Sequence, residues 1–218
     1  MTTNAAHCAP PNAPTTSNAA PPPNAVTPPS VSSFRLLATL FIAGALAGML
    51  VVAVYKAAQE WIYISPSDLN YTFTGAMGQG SSHALGLALG RPDKRVIVLD
   101  GDGSLLMNLG SLVTIANAAP RNFVHCVCEN GTYETNGSIP IPGAGRVDFA
   151  GLARAAGYPK AYQIAELSEW ERSLGGILKD GGPVFVDLKV EPGDDYPDDF
   201  ERLRDVNYRE AFRRSLQG

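Results

Sequence analysis

Residues 100–104, Asp-Gly-Asp-Gly-Ser, have the clearest chemical potential, because they follow a Val/Ile/Leu-rich stretch and precede a helical pattern. Glycines let a backbone approach a ligand closely, and the free N–H groups at a helix start suit a phosphate. The carboxylate of Asp102 would repel that phosphate unless a divalent cation lay between them, as Mg²⁺ does in many phosphate sites. The segment therefore indicates a magnesium-bridged phosphate site, with a tight turn and helix N-cap as the structural alternative.

A second set of oxygen ligands follows the next predicted strand, at residues 129–132, Glu-Asn-Gly-Thr. Between Gly103 and Asn130 lie 26 residues, which is enough for one helix and one strand. Neighbouring parallel strands would bring Asn130 beside Asp102, and its amide oxygen is a suitable ligand for the same ion. The two segments together favour a binding site over a simple turn.

A third candidate is the glycine-rich turn at residues 74–82, Thr-Gly-Ala-Met-Gly-Gln-Gly-Ser-Ser, which precedes a helical pattern. Gly78 and Gly80 could belong to a dinucleotide-binding fingerprint, but His83 occupies the position where the third small residue is needed. The dinucleotide interpretation is therefore disfavoured.

Strands and helices alternate around these segments, which predicts an α/β fold with a doubly wound, mostly parallel sheet and helices on both faces. Sites in such sheets lie at the carboxyl ends of the strands. We predict strands at 50–54, 95–100, 123–128, 161–164 and 184–190, and helices at 80–89, 105–119, 149–156 and 168–179.

The domain is expected to span residues 34–193, between two different end segments. Residues 1–33 are rich in Ala, Pro, Asn, Thr and Ser and predict a disordered leader, whereas residues 194–218 form a charged tail. The uncharged run at 36–55 predicts a buried helix at 34–47, a turn at Gly48 and a strand at 50–54. A membrane anchor through 36–55 is the alternative.

Composition excludes some functions and suggests a compartment. A formal net charge of -4 gives no general attraction to nucleic acid. Three cysteines form neither a secreted disulfide framework nor a paired zinc pattern. We therefore expect no nucleic-acid partner and a reducing, cytoplasmic location.

The order Gly-Asp-Gly, a crossover, then Asn resembles the motif of thiamine-diphosphate-dependent enzymes. The resemblance implies that Asp102, Asn130 and the main-chain carbonyl of Thr132 bind Mg²⁺. It also implies that the Gly75 carbonyl faces the aminopyrimidine and that Met77 holds the cofactor in its bent form. The cofactor-binding set implied in this way is Gly75, Met77, Gly78, Gly101, Asp102, Gly103, Ser104, Asn130 and Thr132.

Within that family the chain is most similar to the cofactor-binding subunit of two-subunit decarboxylases that act on sulfopyruvate or phosphonopyruvate. This similarity implies non-oxidative decarboxylation of a small 2-oxo acid in a hetero-oligomer with a pyrimidine-domain subunit. The activating Glu is expected on that partner, so no catalytic residue is assigned here and the chain alone should be inactive. The alternatives are half of an acetolactate-type carboligase and a non-catalytic or membrane-tethered cofactor-binding module.

One departure from the family pattern lies after the first strand. Where the family often has Thr-Gly beside the diphosphate, this chain has Tyr55 and Lys56, which puts that contact in doubt. Glu134 and Asn136 begin the loop after the metal ligands and could face substrate or be solvated.

Overall fold

The computed structural model describes residues 48–73, 75, 77–193 and 199–217, in which strands and helices alternate. The strands are β1 (Leu50–Val54), β2 (Asn70–Phe73), β3 (Val96–Gly101), β4 (Phe123–Glu129), β5 (Thr132–Tyr133), β6 (Ile139–Pro140), β7 (Lys160–Ile164) and β8 (Val184–Lys189). The helices are α1 (Tyr55–Ile64), α2 (Gly80–Gly90), α3 (Asp102–Met107), α4 (Gly110–Ala118), α5 (Phe149–Ala156), α6 (Leu167–Lys179), α7 (Phe200–Arg204) and α8 (Val206–Ser215).

Six of these strands form one sheet in the order β2-β1-β3-β4-β8-β7, and every neighbouring pair is parallel. The inner strands are continuous apolar runs, because helices cover both of their faces. All five residues of β1 are buried, for example. The doubly wound α/β fold predicted from the sequence is thus confirmed, and β5 pairs with β6 in a small separate hairpin.

Two hydrophobic cores lie on opposite faces of the sheet. On one face Trp61 of α1 and Trp170 of α6 are packed against the strands. On the other face Leu112 of α4, Phe149 of α5 and Phe212 of α8 form the second core. Burial of this apolar surface holds the helices in place and so fixes where the strands end.

The predicted helix at 105–119 is two helices in the structure. α3 begins at Asp102 and ends at Met107, and α4 begins at Gly110. Asn108 lies at the break, where its side-chain amide donates to the Gly78 carbonyl at 3.0 Å. The sequence pattern of this segment is helical, but the helix is interrupted at the point where Asn108 contacts the glycine-rich turn.

The two ends of the chain were predicted less completely. The leader at 1–33 and the helix at 34–47 lie outside the described residues. Residues 50–54 form β1 between β2 and β3, as the helix-plus-strand interpretation of the apolar run requires. No helix in the described part of the chain has the length and apolarity needed to cross a membrane. Within the charged tail, α7 and α8 bury Leu203 and Phe212 against the two cores.

Candidate functional site

A cleft opens at the carboxyl ends of β1, β3 and β4. The winding direction reverses between β1 and β3, since β2 lies beyond one of them and β4 beyond the other. The crevice at such a reversal is where ligands bind in open α/β sheets. The lining residues are Val54, Tyr55, Lys56, Ala57, Glu60, Met77, Asp100, Gly101, Asp102, Gly103, Ser104, Cys128, Asn130, Thr132, Tyr133, Glu134, Thr135 and Val190.

Asp102 lies at the start of α3 with its side chain almost completely buried. One carboxylate oxygen accepts the N–H of Gly103 at 2.7 Å and the other accepts the N–H of Gly131 at 2.7 Å. Burial raises the pKa of this carboxyl to about 6, although both backbone bonds act in the opposite direction. Among the described residues no ion pair with Asp102 is formed, so a bound cation would fit beside it.

Asn130 and Thr132 follow β4 and lie next to Asp102, to which the intervening Gly131 is hydrogen-bonded. Gly131 has a φ of +75°, which a glycine adopts without strain. The N–H of Thr132 donates to the side-chain oxygen of Asn130 at 2.9 Å. The structure therefore brings the three predicted metal-binding residues to one side of the cleft.

The described residues contain no group of three or more His, Cys, Asp or Glu side chains arranged to hold a metal ion. One carboxylate, one amide oxygen and one carbonyl would leave several coordination positions of Mg²⁺ open. Mg²⁺ typically fills such positions with water and ligand phosphates. The donor set thus fits magnesium that arrives with a phosphorylated cofactor.

Gly101 and Gly103 have different surroundings although both line the cleft. A Cβ atom added to Gly101 would meet nothing within 4 Å, so the space next to it is open. A Cβ atom on Gly103 would lie 2.5 Å from two ring carbons of Tyr133. Close backbone approach to a ligand is thus available at Gly101, whereas Gly103 is required by packing within the protein.

The glycine-rich turn is hydrogen-bonded to α3, and only part of it lines the cleft. The N–H of Gly78, whose φ is +84°, donates to the hydroxyl of Ser104 at 3.0 Å. Met77 is half-buried and lines the cleft, but Gly75 is exposed and Gly78 is buried, and neither lines it. Of the predicted cofactor-binding residues these two glycines are therefore set back from the cleft.

The departure at Tyr55 and Lys56 lies directly at the site. Tyr55 begins α1 immediately after β1 with a φ of +49°, a conformation that is uncommon for residues other than glycine. Lys56 carries the one cationic side chain among the described residues that line the cleft, which also include four carboxyl groups. The family motif identified this position only as the loss of a diphosphate contact, whereas the structure shows that Lys56 lines the same cleft as Asp102.

Comparisons with known proteins agree with this geometry. Residues 48–188 match the model of the thiamine pyrophosphate enzyme, C-terminal TPP binding domain. The chain is 37% identical over 160 residues to the beta subunit of sulfopyruvate decarboxylase from Methanothermobacter thermautotrophicus, which covers 73% of this chain and 83% of the relative. It is 36% identical over 173 residues to phosphonopyruvate decarboxylase from Streptomyces hygroscopicus, covering 78% of this chain and 41% of that relative.

The chain thus spans less than half the length of phosphonopyruvate decarboxylase. A solved benzoylformate decarboxylase from Polynucleobacter necessarius shares the fold, with a TM-score of 0.62 at 19% identity over 77% of this chain and 34% of the other. The family model covers more than half of the chain, and it includes every strand of the main sheet except the last residue of β8. The chain therefore belongs to the thiamine pyrophosphate enzymes and contains their C-terminal TPP-binding domain.

Proposed function

We propose that this chain is the thiamine-diphosphate- and magnesium-binding subunit of a non-oxidative 2-oxo acid decarboxylase with a sulfopyruvate- or phosphonopyruvate-like substrate. The observation that carries the proposal is the convergence of Asp102, Asn130 and Thr132 on one cleft at the point where the sheet reverses its winding. The reaction and substrate class come from the names of relatives that are 36–37% identical.

The metal side of the cleft has a clear division of roles in this proposal. The Asp102 carboxylate, the Asn130 side-chain oxygen and the Thr132 carbonyl hold Mg²⁺. Backbone N–H groups at the start of α3, together with Ser104, face the diphosphate, since a helix N-terminus favours an anion. Gly101 leaves room for the ligand to approach the backbone. Lys56 adds a positive charge to the same region.

The remainder of the cleft would hold the organic part of the cofactor. Thiamine diphosphate supplies a nucleophilic carbon and an electron sink for loss of carbon dioxide. Met77, which lines the cleft, would support the cofactor with its apolar side chain, and the Gly75 carbonyl would bind the aminopyrimidine. Because Gly75 is exposed in the isolated chain, its contact would be completed when a partner covers the turn.

A partner subunit with a pyrimidine-binding domain completes the enzyme in this proposal. Similarity to a protein named as a beta subunit supports a hetero-oligomer. The Glu that activates the pyrimidine ring would come from that partner. The chain alone is therefore expected to bind cofactor and metal but not to decarboxylate.

Isothermal titration tests the proposal. Thiamine diphosphate is titrated with and without Mg²⁺ into the chain and into its Asp102→Ala variant, first alone and then with a pyrimidine-domain subunit. Magnesium-dependent binding that the variant loses would support the cofactor site. Absence of binding by the folded chain in both settings would overturn it.

A product assay of the assembled enzyme tests the reaction. Carbon dioxide and an aldehyde should form from sulfopyruvate or phosphonopyruvate without an added oxidant. A carboligation product that appears only when a second 2-oxo acid is added would instead indicate an acetolactate-type activity.

A further inference from the structure

Glu134 makes two hydrogen bonds that connect the metal-binding loop to another part of the domain. It begins a short 3₁₀ turn, Glu134–Asn136, directly after β5. One of its oxygens accepts the side-chain N–H of Asn130 at 2.6 Å, and the other accepts the backbone N–H of Gly193 at 2.7 Å. Gly193 lies beyond the end of β8, so one carboxylate joins two separate segments.

The hydrogen bond from Asn130 to Glu134 fixes which way the Asn130 amide faces, because an amide has one donor side and one acceptor side. With its nitrogen facing Glu134, the oxygen of Asn130 accepts from the backbone N–H of Thr132 at 2.9 Å and from the hydroxyl of Thr132 at 3.3 Å, a group that can rotate away from an incoming ion. Rotation of the amide by half a turn would place its oxygen against the carboxylate and its nitrogen against an N–H donor. Both contacts would then be repulsive, so Glu134 and Thr132 together permit one orientation.

We propose that Glu134 is a positioning residue that holds the Asn130 amide with its oxygen available to magnesium and anchors this loop to the segment after β8. The proposal rests on the proposed function, since it assumes that Asn130 is a metal ligand. Glu134 touches neither metal nor substrate in this role. When a residue that hydrogen-bonds to a metal-binding side chain is removed, metal affinity typically falls by about 10- to 100-fold.

Replacing Glu134 by Gln gives a sharp test, because Gln keeps the size of the side chain but has one acceptor oxygen instead of two. It can therefore satisfy Asn130 or Gly193 but not both. The probe is Mn²⁺, titrated in the presence of thiamine diphosphate and followed by electron paramagnetic resonance. We expect Mn²⁺ affinity to fall roughly tenfold in Glu134→Gln. Glu171→Gln, which removes the same charge from an exposed site on α6, should bind as the parent does.

Substitutions at both Asn130 and Glu134 distinguish an effect on the orientation of residue 130 from an effect of the negative charge of Glu134. In Asn130→Asp, a carboxylate faces the carboxylate of Glu134. When Glu134→Gln is added, the Gln nitrogen can donate to the new carboxylate while its oxygen still accepts from Gly193. We therefore expect Glu134→Gln to lower Mn²⁺ affinity when it is made in the parent and to raise it when it is made in Asn130→Asp. Loss of a nearby negative charge would by itself lower the affinity in both backgrounds.

The outcomes distinguish this proposal from the proposed function. If the parent binds Mn²⁺ and Asp102→Ala does not, the metal site stands, and an unchanged affinity in Glu134→Gln would overturn the role of Glu134. Equal losses in the parent and in the Asn130→Asp background would also overturn it. If the folded parent binds no Mn²⁺ with cofactor present, the proposed function fails and the positioning role fails with it. Circular dichroism and thermal unfolding establish that each variant is folded.

Discussion

Replacing Gly103 by Ala should damage the site through a contact inside the protein rather than through the ligand. The added Cβ would lie 2.5 Å from Cδ1 and Cε1 of Tyr133 and 3.3 Å from a methyl group of Ile141. Ordinary contact between carbon atoms begins near 3.4 Å. The tyrosine ring must therefore retreat by almost one ångström, and β5 moves with it. Thr132 precedes Tyr133 in that strand and is a proposed metal ligand.

Two opposing contributions determine how much Gly103→Ala changes the free energy of unfolding. Overpacking of a well-packed site costs about 1–3 kcal/mol. Gly103 lies within α3, where replacing glycine by alanine stabilises a helix by about 0.5–1 kcal/mol. Tyr133 is half-buried and can move outward, so the net loss should be about 1–2 kcal/mol. For a chain of this length that loss lowers Tm by roughly 2–8 °C.

Calorimetry of the chain without cofactor measures the change in Tm, and titration with Mg²⁺ and thiamine diphosphate measures the effect on binding. Gly86→Ala is the matched control, because a Cβ there meets nothing within 4 Å and the helix α2 should gain stability. In a Tyr133→Ala background both clashing ring carbons are absent, so Gly103→Ala should cost little stability there. If Gly103→Ala is as stable as the parent, or if it costs as much in the Tyr133→Ala background as in the parent, the packing argument is wrong.

Three further variants test other parts of the site. Lys56→Met should weaken binding of thiamine diphosphate roughly tenfold, because a bond to a charged group is lost, whereas Lys179→Met at an exposed site should not. Ser104→Ala removes the acceptor of the Gly78 N–H and should cost about 1 kcal/mol of stability in thermal unfolding. Burial and the neighbouring Glu129 carboxylate raise the pKa of Asp187 from 3.8 to about 7, although the ion pair with Lys189 acts in the opposite direction. The stability that its protonated form contributes is therefore present at low pH and is lost as pH rises through that interval. Because Asp187→Asn does not titrate there, the unfolding temperature of the variant relative to that of the parent should rise from pH 4 to pH 8, as fluorescence-monitored melting can determine.

The central strands could be predicted, and the meeting of the residues proposed as metal ligands could be expected, because their signals are local. β3 and β4 are long apolar runs, and each ends in polar residues whose meeting follows from parallel pairing alone. The sequence did not predict α1 or β2. α1 begins without a capping side chain, directly after β1, and β2 is a four-residue edge strand, so neither has a clear boundary signal.

The role of Glu134 could not be predicted because it depends on contacts between distant parts of the chain. Its partner Gly193 is 59 residues away in sequence, and no pattern in either segment specifies the other. Tyr133 packs on Gly103 for a similar reason, since the β5–β6 hairpin folds back over the start of α3. Residues that could bind a metal were thus apparent, whereas residues that hold them in position were not.

If the proposed site is correct, Mg²⁺ and thiamine diphosphate should each raise the affinity of the chain for the other. Asp102 is 2% exposed and has backbone N–H partners but no ion-pair partner among the described residues, so its charge is costly without a cation. Among the described residues no group of three or more His, Cys, Asp or Glu could hold Mg²⁺ without a further ligand, and an approaching diphosphate would meet the Asp102 carboxylate unless the ion lay between them. Each ligand therefore removes an unfavourable interaction of the other. Because such coupling is reciprocal, the factor by which Mg²⁺ raises cofactor affinity must equal the factor by which cofactor raises Mg²⁺ affinity.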